Sequence, residues 1–126
     1  MEILVVDDDA VVLKSCTRIL QVSHKDWNIT TVSSVKEAYQ SLSRTEFSVL
    51  IVDIMMPEEN GYMLIEKAKS WDPKVLILAM SGYPTAEIIK KSKESGAEDF
   101  IPKPFNPDEL TEAVEKLIQG GGNEEV

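Results

Sequence analysis

A single cysteine, Cys16, and a single histidine, His24, stand in the whole chain. One thiol closes no internal disulfide, and one thiol with one imidazole does not furnish a Cys/His metal centre. No apolar run approaches the length of a membrane span, and the N-terminus goes straight into a strand. The expectation is a cytoplasmic domain with no membrane partner. The glycines form no phosphate-cradling loop before a helix, which argues against a bound nucleotide. Positive charge is scarce as well: 13 Lys and Arg against 22 Asp and Glu leave a net charge of -9. A nucleic-acid backbone would be repelled, which excludes non-specific nucleic-acid binding by this domain. The acidic surplus fits a cation-binding patch or a basic partner, and only the patch can be followed further in the sequence.

What is there is an ordinary globular balance, 43% hydrophobic and 28% charged, in 126 residues. That length makes one domain with a real core. The stretch Phe47 to Pro57, FSVLIVDIMMP, is a continuous apolar run that meets one carboxylate, Asp53, before a proline. Such a run fits a strand buried on both faces of a parallel sheet, with Asp53 where the strand emerges, since a lone buried anion is costly. Glu2 to Val6 is a similar strand running into Asp7-Asp8-Asp9, and Ala10 to Val22 follows with helical spacing that puts Cys16 on the apolar face. His24 falls in a polar connection and is expected to be solvated. Trp27 to Val32 is the second strand, and Ser34 with Glu37 makes a capping box for a second helix.

After Asp53 come a Pro57 to Gly61 loop and a helix with Leu64, Ile65 and Ala68 inward, broken at Asp72-Pro73. Lys74 to Met80 is a fourth strand ending on Ser81-Gly82. A helix capped near Thr85 stops at Gly96, a typical left-handed end. Glu98 to Ile101 delivers Lys103 and Pro104. Asn106-Pro107-Asp108-Glu109 starts a last helix, which Gly120-Gly121-Gly122 is expected to end. The domain is therefore set at 1–119, with 120–126 a flexible Gly-rich acidic tail or truncated linker. Five alternations of strand and helix predict an α/β fold: a five-stranded parallel sheet with helices on both faces and right-handed crossovers.

A ligand in such a sheet binds at the carboxyl ends of the strands, where strand order reverses. Those ends carry Asp7-Asp8, Asp53, Ser81 and Lys103. Two carboxylates about 4 Å apart repel by roughly 4 kcal/mol at an effective dielectric near 20. A divalent cation relieves that repulsion, and an all-oxygen set with coordinated water suits Mg²⁺. Acids, hard metal, lysine and hydroxyl describe a pocket for a phosphoryl group. Aspartate is a competent nucleophile toward phosphorus. Asp53, alone on the central strand, is the expected nucleophile, and the paired Asp7 and Asp8 are the expected metal ligands.

The chain resembles the receiver domain of the two-component response regulator family over nearly its full length. The resemblance is carried by ILVVDDD, VLIVDIMMP followed by Gly61, the Ser81-Gly82 pair and AEDFIPKPF. It implies a flavodoxin-like (βα)5 doubly wound sheet with strand order 2-1-3-4-5. It implies Mg²⁺ on Asp7, Asp8, Asp53 and the main-chain carbonyl of Met55, with Asp53 as the phosphorylation site. Ser81 takes the family's hydroxyl position, Lys103 its phosphate-pairing lysine, Phe100 its switch aromatic, and the Lys103-Pro104 bond is expected to be cis. The implied activity is acceptance of a phosphoryl group from a sensor histidine kinase or histidine phosphotransfer protein. The domain would then reshape the face made by the Thr85–Ser95 helix, the Phe100 strand and the last helix, which could serve a homodimer or an output partner. It would be no enzyme beyond catalysing its own phosphorylation and dephosphorylation.

Several residues carry two readings. Asp9 is a helix cap or a metal ligand. Gly82 serves a turn or leaves room for phosphoryl oxygens. Phe100 is core or switch. Met55 and Met56 pack around a loop, while Met55 and Tyr83 could also shield the phosphoryl group from water. The rival from another class is a pseudo-receiver that works by protein contact alone; such modules usually lose an acid or the lysine, and none is missing here. A phosphatase of the aspartyl-phosphate kind would need an acid where Met55 stands, and a flavin carrier would suffer repulsion from the three carboxylates.

Overall fold

The computed structural model describes residues 1–123. Five strands and five helices alternate: β1 (Glu2–Val6), α1 (Ala10–Ser23), β2 (Asn28–Val32), α2 (Val35–Arg44), β3 (Val49–Asp53), α3 (Gly61–Trp71), β4 (Leu76–Ser81), α4 (Ala86–Ser95), β5 (Asp99–Pro102) and α5 (Pro107–Asn123). The strands form one parallel sheet in the order β2-β1-β3-β4-β5, as expected.

The period-2 alternation of a strand sends successive side chains to opposite faces, and each face has its own core. Leu4 and Val6, Leu50 and Val52, Ile77 and Ala79 meet Ala38 of α2 and Leu64, Ile65 and Ala68 of α3 on one side. Ile3 and Val5, Val49 and Ile51, Leu78 and Met80 meet Leu13, Cys16 and Leu20 of α1 and Leu110, Val114 and Leu117 of α5 on the other. This is why the strands read as unbroken apolar runs. Cys16 is a fully buried part of that second core, and burial pushes its thiol up to about 12, with the Asp7 charge adding to the rise.

The helix ends follow local chemistry. The side chains of Asp9, Ser34, Asn60 and Thr85 accept backbone N–H groups at the starts of α1, α2, α3 and α4. Gly96 ends α4 with φ +128, a left-handed conformation that a Cβ would strain. The start of α5 is a reciprocal box in which Glu109 N–H donates to Asn106 Oδ1 and Asn106 N–H donates to Glu109 Oε1, each at 2.8 Å.

Two expectations change. The helix α5 extends through Asn123, past the start of the glycine run, because glycine in a helix costs about 1 kcal/mol per residue without forbidding the conformation. Residues 124–126 lie outside the described residues. His24 is half-buried rather than solvated: it stacks on Trp27 (centroids 3.7 Å, planes 9° apart), and its Nε2 lies 2.7 Å from Glu115 Oε2. Among the described residues no helix is long and apolar enough to cross a membrane.

Candidate functional site

Parallel strands end on one edge, so the groups that close β1, β3, β4 and β5 meet there. The chain leaves β1 toward β2 on one side and β3 stands on the other, which makes the β1–β3 boundary the point where strand order reverses. Asp53 is the last residue of β3, Asp7 and Asp8 follow β1, Ser81 is the last residue of β4, and Lys103 follows β5. Backbone bonds fix these tips: Asp7 N–H donates to Val32 O (3.2 Å), Ile54 N–H to Met80 O (3.1 Å) and Lys103 N–H to Ser81 O (2.8 Å).

The expected acids do converge. Asp7, Asp8 and Asp53 each offer a carboxylate oxygen, and these lie within 4.8 Å of one another. Asp7 is fully buried, Asp53 nearly so, and Asp8 is exposed. The Lys103 ammonium donates to Asp7 Oδ2 at 2.8 Å and to Asp53 Oδ2 at 3.0 Å. The remaining oxygens are held by the backbone: Asp9 N–H donates to Asp7 Oδ1 and Met55 N–H to Asp53 Oδ1, both at 2.9 Å. Burial pushes the Asp7 carboxyl above its ordinary value, against the pull of the Lys103 ammonium and the Asp9 amide, with the Asp53 charge adding to the rise. Burial alone would lower Lys103, but its hydrogen bonds to Asp7 and Asp53, and their charge, overcome it and hold the ammonium above its ordinary value.

Three carboxylates against one ammonium leave a net double negative charge in a small, mostly buried space. Hard oxygen donors at that spacing fit a divalent cation such as Mg²⁺. Ser81 is fully buried at the cluster's border, and its hydroxyl accepts Tyr83 N–H at 3.0 Å. Since a hydroxyl that accepts one bond still has a proton to give, Ser81 can donate to an oxyanion.

Other residues resolve one of their two readings. Asp9 is a cap: its Oδ1 accepts Val11 N–H at 2.9 Å, and it stands apart from the acid cluster. Gly82 is not in the left-handed region, so the turn does not require glycine, and an added Cβ would meet nothing within 4 Å. Gly61 is the glycine that packing demands, because a Cβ there would sit 2.5 Å from Ile54 Cα and 3.1 Å from Asp53 O. Met56 is core, whereas Met55 is 45% exposed. With Tyr83, Lys103 and Phe105, Met55 lines a cleft of about 500 Å³ that opens onto Asp53. Phe100 is half-buried against the α3–α4 side of the core, opposite Ala79 of β4. The Lys103-Pro104 bond is cis.

The sequence reading missed Glu59. Its carboxylate crosses from the β3–α3 loop to accept the Val35 N–H at the start of α2, at 2.7 Å through Oε1 and 3.1 Å through Oε2. Nothing in the sequence pattern marks a bond between residues 24 apart.

Known proteins share this fold. Residues 3–115 match the family described as the response regulator receiver domain. The transcriptional regulatory protein ZraR of Escherichia coli strain K12 is 30% identical over 120 residues, covering 94% of this chain and 26% of that protein. Response regulator SaeR of Staphylococcus aureus is 28% identical over 116 residues, covering 92% and 50%. The chain thus spans between a quarter and half the length of these curated relatives. Among solved structures, a CheY-like response regulator receiver domain protein from Methanospirillum hungatei JF-1 superposes with a TM-score of 0.89 at 28% identity, covering 98% and 97%.

Proposed function

The chain belongs to the response regulator receiver domain family, and on that premise we propose that it is a phosphorylation-dependent signalling switch with Asp53 as the phosphoryl acceptor. The observation that supports this most is the convergence of Asp7, Asp8 and Asp53 around a Lys103 ammonium that bridges two of them. A pocket of that charge and shape suits a transferring phosphoryl group, whose catalysis is mostly positioning and neutralisation of charge.

The donor is a phosphohistidine of a sensor kinase or histidine phosphotransfer protein. A carboxylate oxygen of Asp53 attacks phosphorus, the P–O bond forms as the P–N bond breaks, and the imidazole leaves with the bond's electron pair. Met55 N–H, already on Asp53 Oδ1, keeps the carboxylate from turning. Lys103 shifts its donors from the carboxylates to a phosphoryl oxygen. Bound by Asp7, Asp8, Asp53 and the Met55 carbonyl, Mg²⁺ would supply the positive charge that the phosphoryl oxygens need. Gly82, with open space where a Cβ would stand, leaves room for those oxygens.

The phosphoryl group adds charge and acceptors at one strand end. Ser81 turns its O–H toward them, and the half-buried Phe100, on the neighbouring strand opposite Ala79, moves into the space released. The face of α4, β5 and α5 changes shape through a shift between two packings, since the phosphate acts only by its differential contacts with each. That face is the contact for a homodimer or output partner, and the site of action is the cytoplasm. The test is intact-mass spectrometry after incubation with acetyl phosphate and Mg²⁺. One added phosphoryl group on Asp53, absent from Asp53→Asn, is expected; an unmodified protein, or a phosphoryl group elsewhere, would overturn the reading.

A further inference from the structure

The loop from Ile54 to Asn60 leads from Asp53 into α3 and carries Met55. Its two ends are held by the backbone and by a cap: Ile54 N–H donates to Met80 O, and Asn60 Oδ1 accepts Met63 N–H at 3.1 Å. Between them the chain takes an unusual course. Glu58 has φ 59, the left-handed region that a residue with a side chain adopts only where its surroundings hold it. Glu59 N–H closes a turn onto Met56 O at 3.3 Å. Ile54 and Met56 anchor the loop in the core, and among the described residues its one side-chain hydrogen bond to a sequence-distant segment is that of the Glu59 carboxylate with Val35 N–H.

Val35 is the first residue of α2, and its amide is one of the four that a helix leaves unpaired. The helix is already capped locally: Ser34 Oγ accepts Glu37 N–H at 3.1 Å, and Glu37 Oε1 accepts Ser33 N–H at 3.1 Å. The long-range bond therefore does more for the loop than for the helix. We propose that Glu59 is a positioning residue: its bond to Val35 holds the Ile54–Asn60 loop, and with it the Met55 carbonyl, in register with Asp53. The proposal rests on the reading of Asp53 as a Mg²⁺-assisted acceptor. Coupling of this kind is reciprocal, so loading the acid cluster also steadies the start of α2.

The test is a double-mutant cycle on Mg²⁺ affinity, read by amide NMR titration with MgCl₂. Glu59→Ala removes the acceptor. Val35→Pro removes the donor at the one helical position where proline is favoured, and Ser34, with φ -150 and ψ 160, already has the extended backbone that a residue before proline needs. Each single variant is expected to weaken Mg²⁺ binding by about fivefold. The double variant is expected to stay near that same value instead of reaching about twenty-five-fold, because both changes delete one bond. In the metal-free protein the amides of Met55, Met56, Glu58 and Glu59 are expected to exchange faster in all three variants. Singles that keep wild-type affinity, or a double whose losses multiply, would overturn the proposal. If the wild-type protein takes up no Mg²⁺ at all, the acceptor reading fails first; if it does and the variants bind as tightly, only the role of Glu59 falls.

Discussion

Replacing Asp7 by asparagine should make the metal-free protein more stable, although it removes one end of a buried ion pair. At the full 4.8 Å separation, the Asp53 carboxylate repels Asp7 by about 3.5 kcal/mol at an effective dielectric near 20. The Lys103 ammonium at 2.8 Å returns about 6 kcal/mol on the same scale. Attraction to Lys103 exceeds the repulsion from Asp53, the exposed Asp8 is screened by water, and it is burial that tips the balance against the anion. Asparagine keeps an acceptor for Asp9 N–H and sheds the burial penalty of the anion, so a net gain of about 1 kcal/mol is expected. The sign agrees with the titration: the Asp7 carboxyl is raised in the folded protein above its ordinary 3.8. Between those values the folded state holds more protons than the unfolded one, so wild-type stability falls as pH rises through that window. Asp7→Asn has no such fall, and its advantage should appear at neutral pH and vanish below pH 3.8. With Mg²⁺ the order reverses, since a ligand at a hundred times its Kd adds about 2.7 kcal/mol to the wild type. Urea unfolding, followed by fluorescence of the buried Trp27 with EDTA and then with Mg²⁺, reads all of this. A variant less stable than wild type in EDTA at neutral pH, or one gaining as much from Mg²⁺, would refute the reasoning.

Other expectations concern the site's edges. Gly61→Ala drives a Cβ to 2.5 Å from Ile54 Cα, and the backbone shift it forces should cost about 1–3 kcal/mol in the same unfolding assay. Phosphorylated Ser81→Ala should keep its phosphoryl group and lose most of the NMR shift in the α4, β5 and α5 face; a full shift would contradict the switch route. Lys103→Ala should likewise accept phosphate yet signal poorly by the same NMR measure. Met55 and Tyr83, 45% and 67% exposed at the mouth of the cleft, should hinder attacking water. The phosphorylated form should therefore outlast seconds when loss of phosphate label is timed, and Met55→Ala should shorten its life.

The sheet was readable because burial on both faces leaves residues 3–6, 49–52 and 76–80 without a polar side chain, and because each run stops at a chemically conspicuous group. Parallel pairing then puts Asp7, Asp8, Asp53, Ser81 and Lys103 on one edge without any knowledge of distances. Local caps were equally readable: Ser34, Thr85 and Asn106 each bond within three residues of themselves. What escaped depends on contacts between distant segments. Glu59 and Val35 meet only because α2 packs beside α3, and His24 finds Glu115 only because α1 packs on α5. Gly82 looked like a turn residue by type, whereas its backbone has no need of glycine. The end of α5 depends on how much helix a glycine run tolerates, and composition alone does not decide that.

The most direct test is a Mg²⁺ titration of the wild-type protein monitored at every backbone amide. Saturable shifts centred on Asp7, Asp8, Asp53 and Met55, and missing from Asp53→Asn, are expected. Shifts that never saturate, or that centre on the acidic start of α5 at Asp108 and Glu109, would contradict a metal-assisted acceptor site at the sheet's edge.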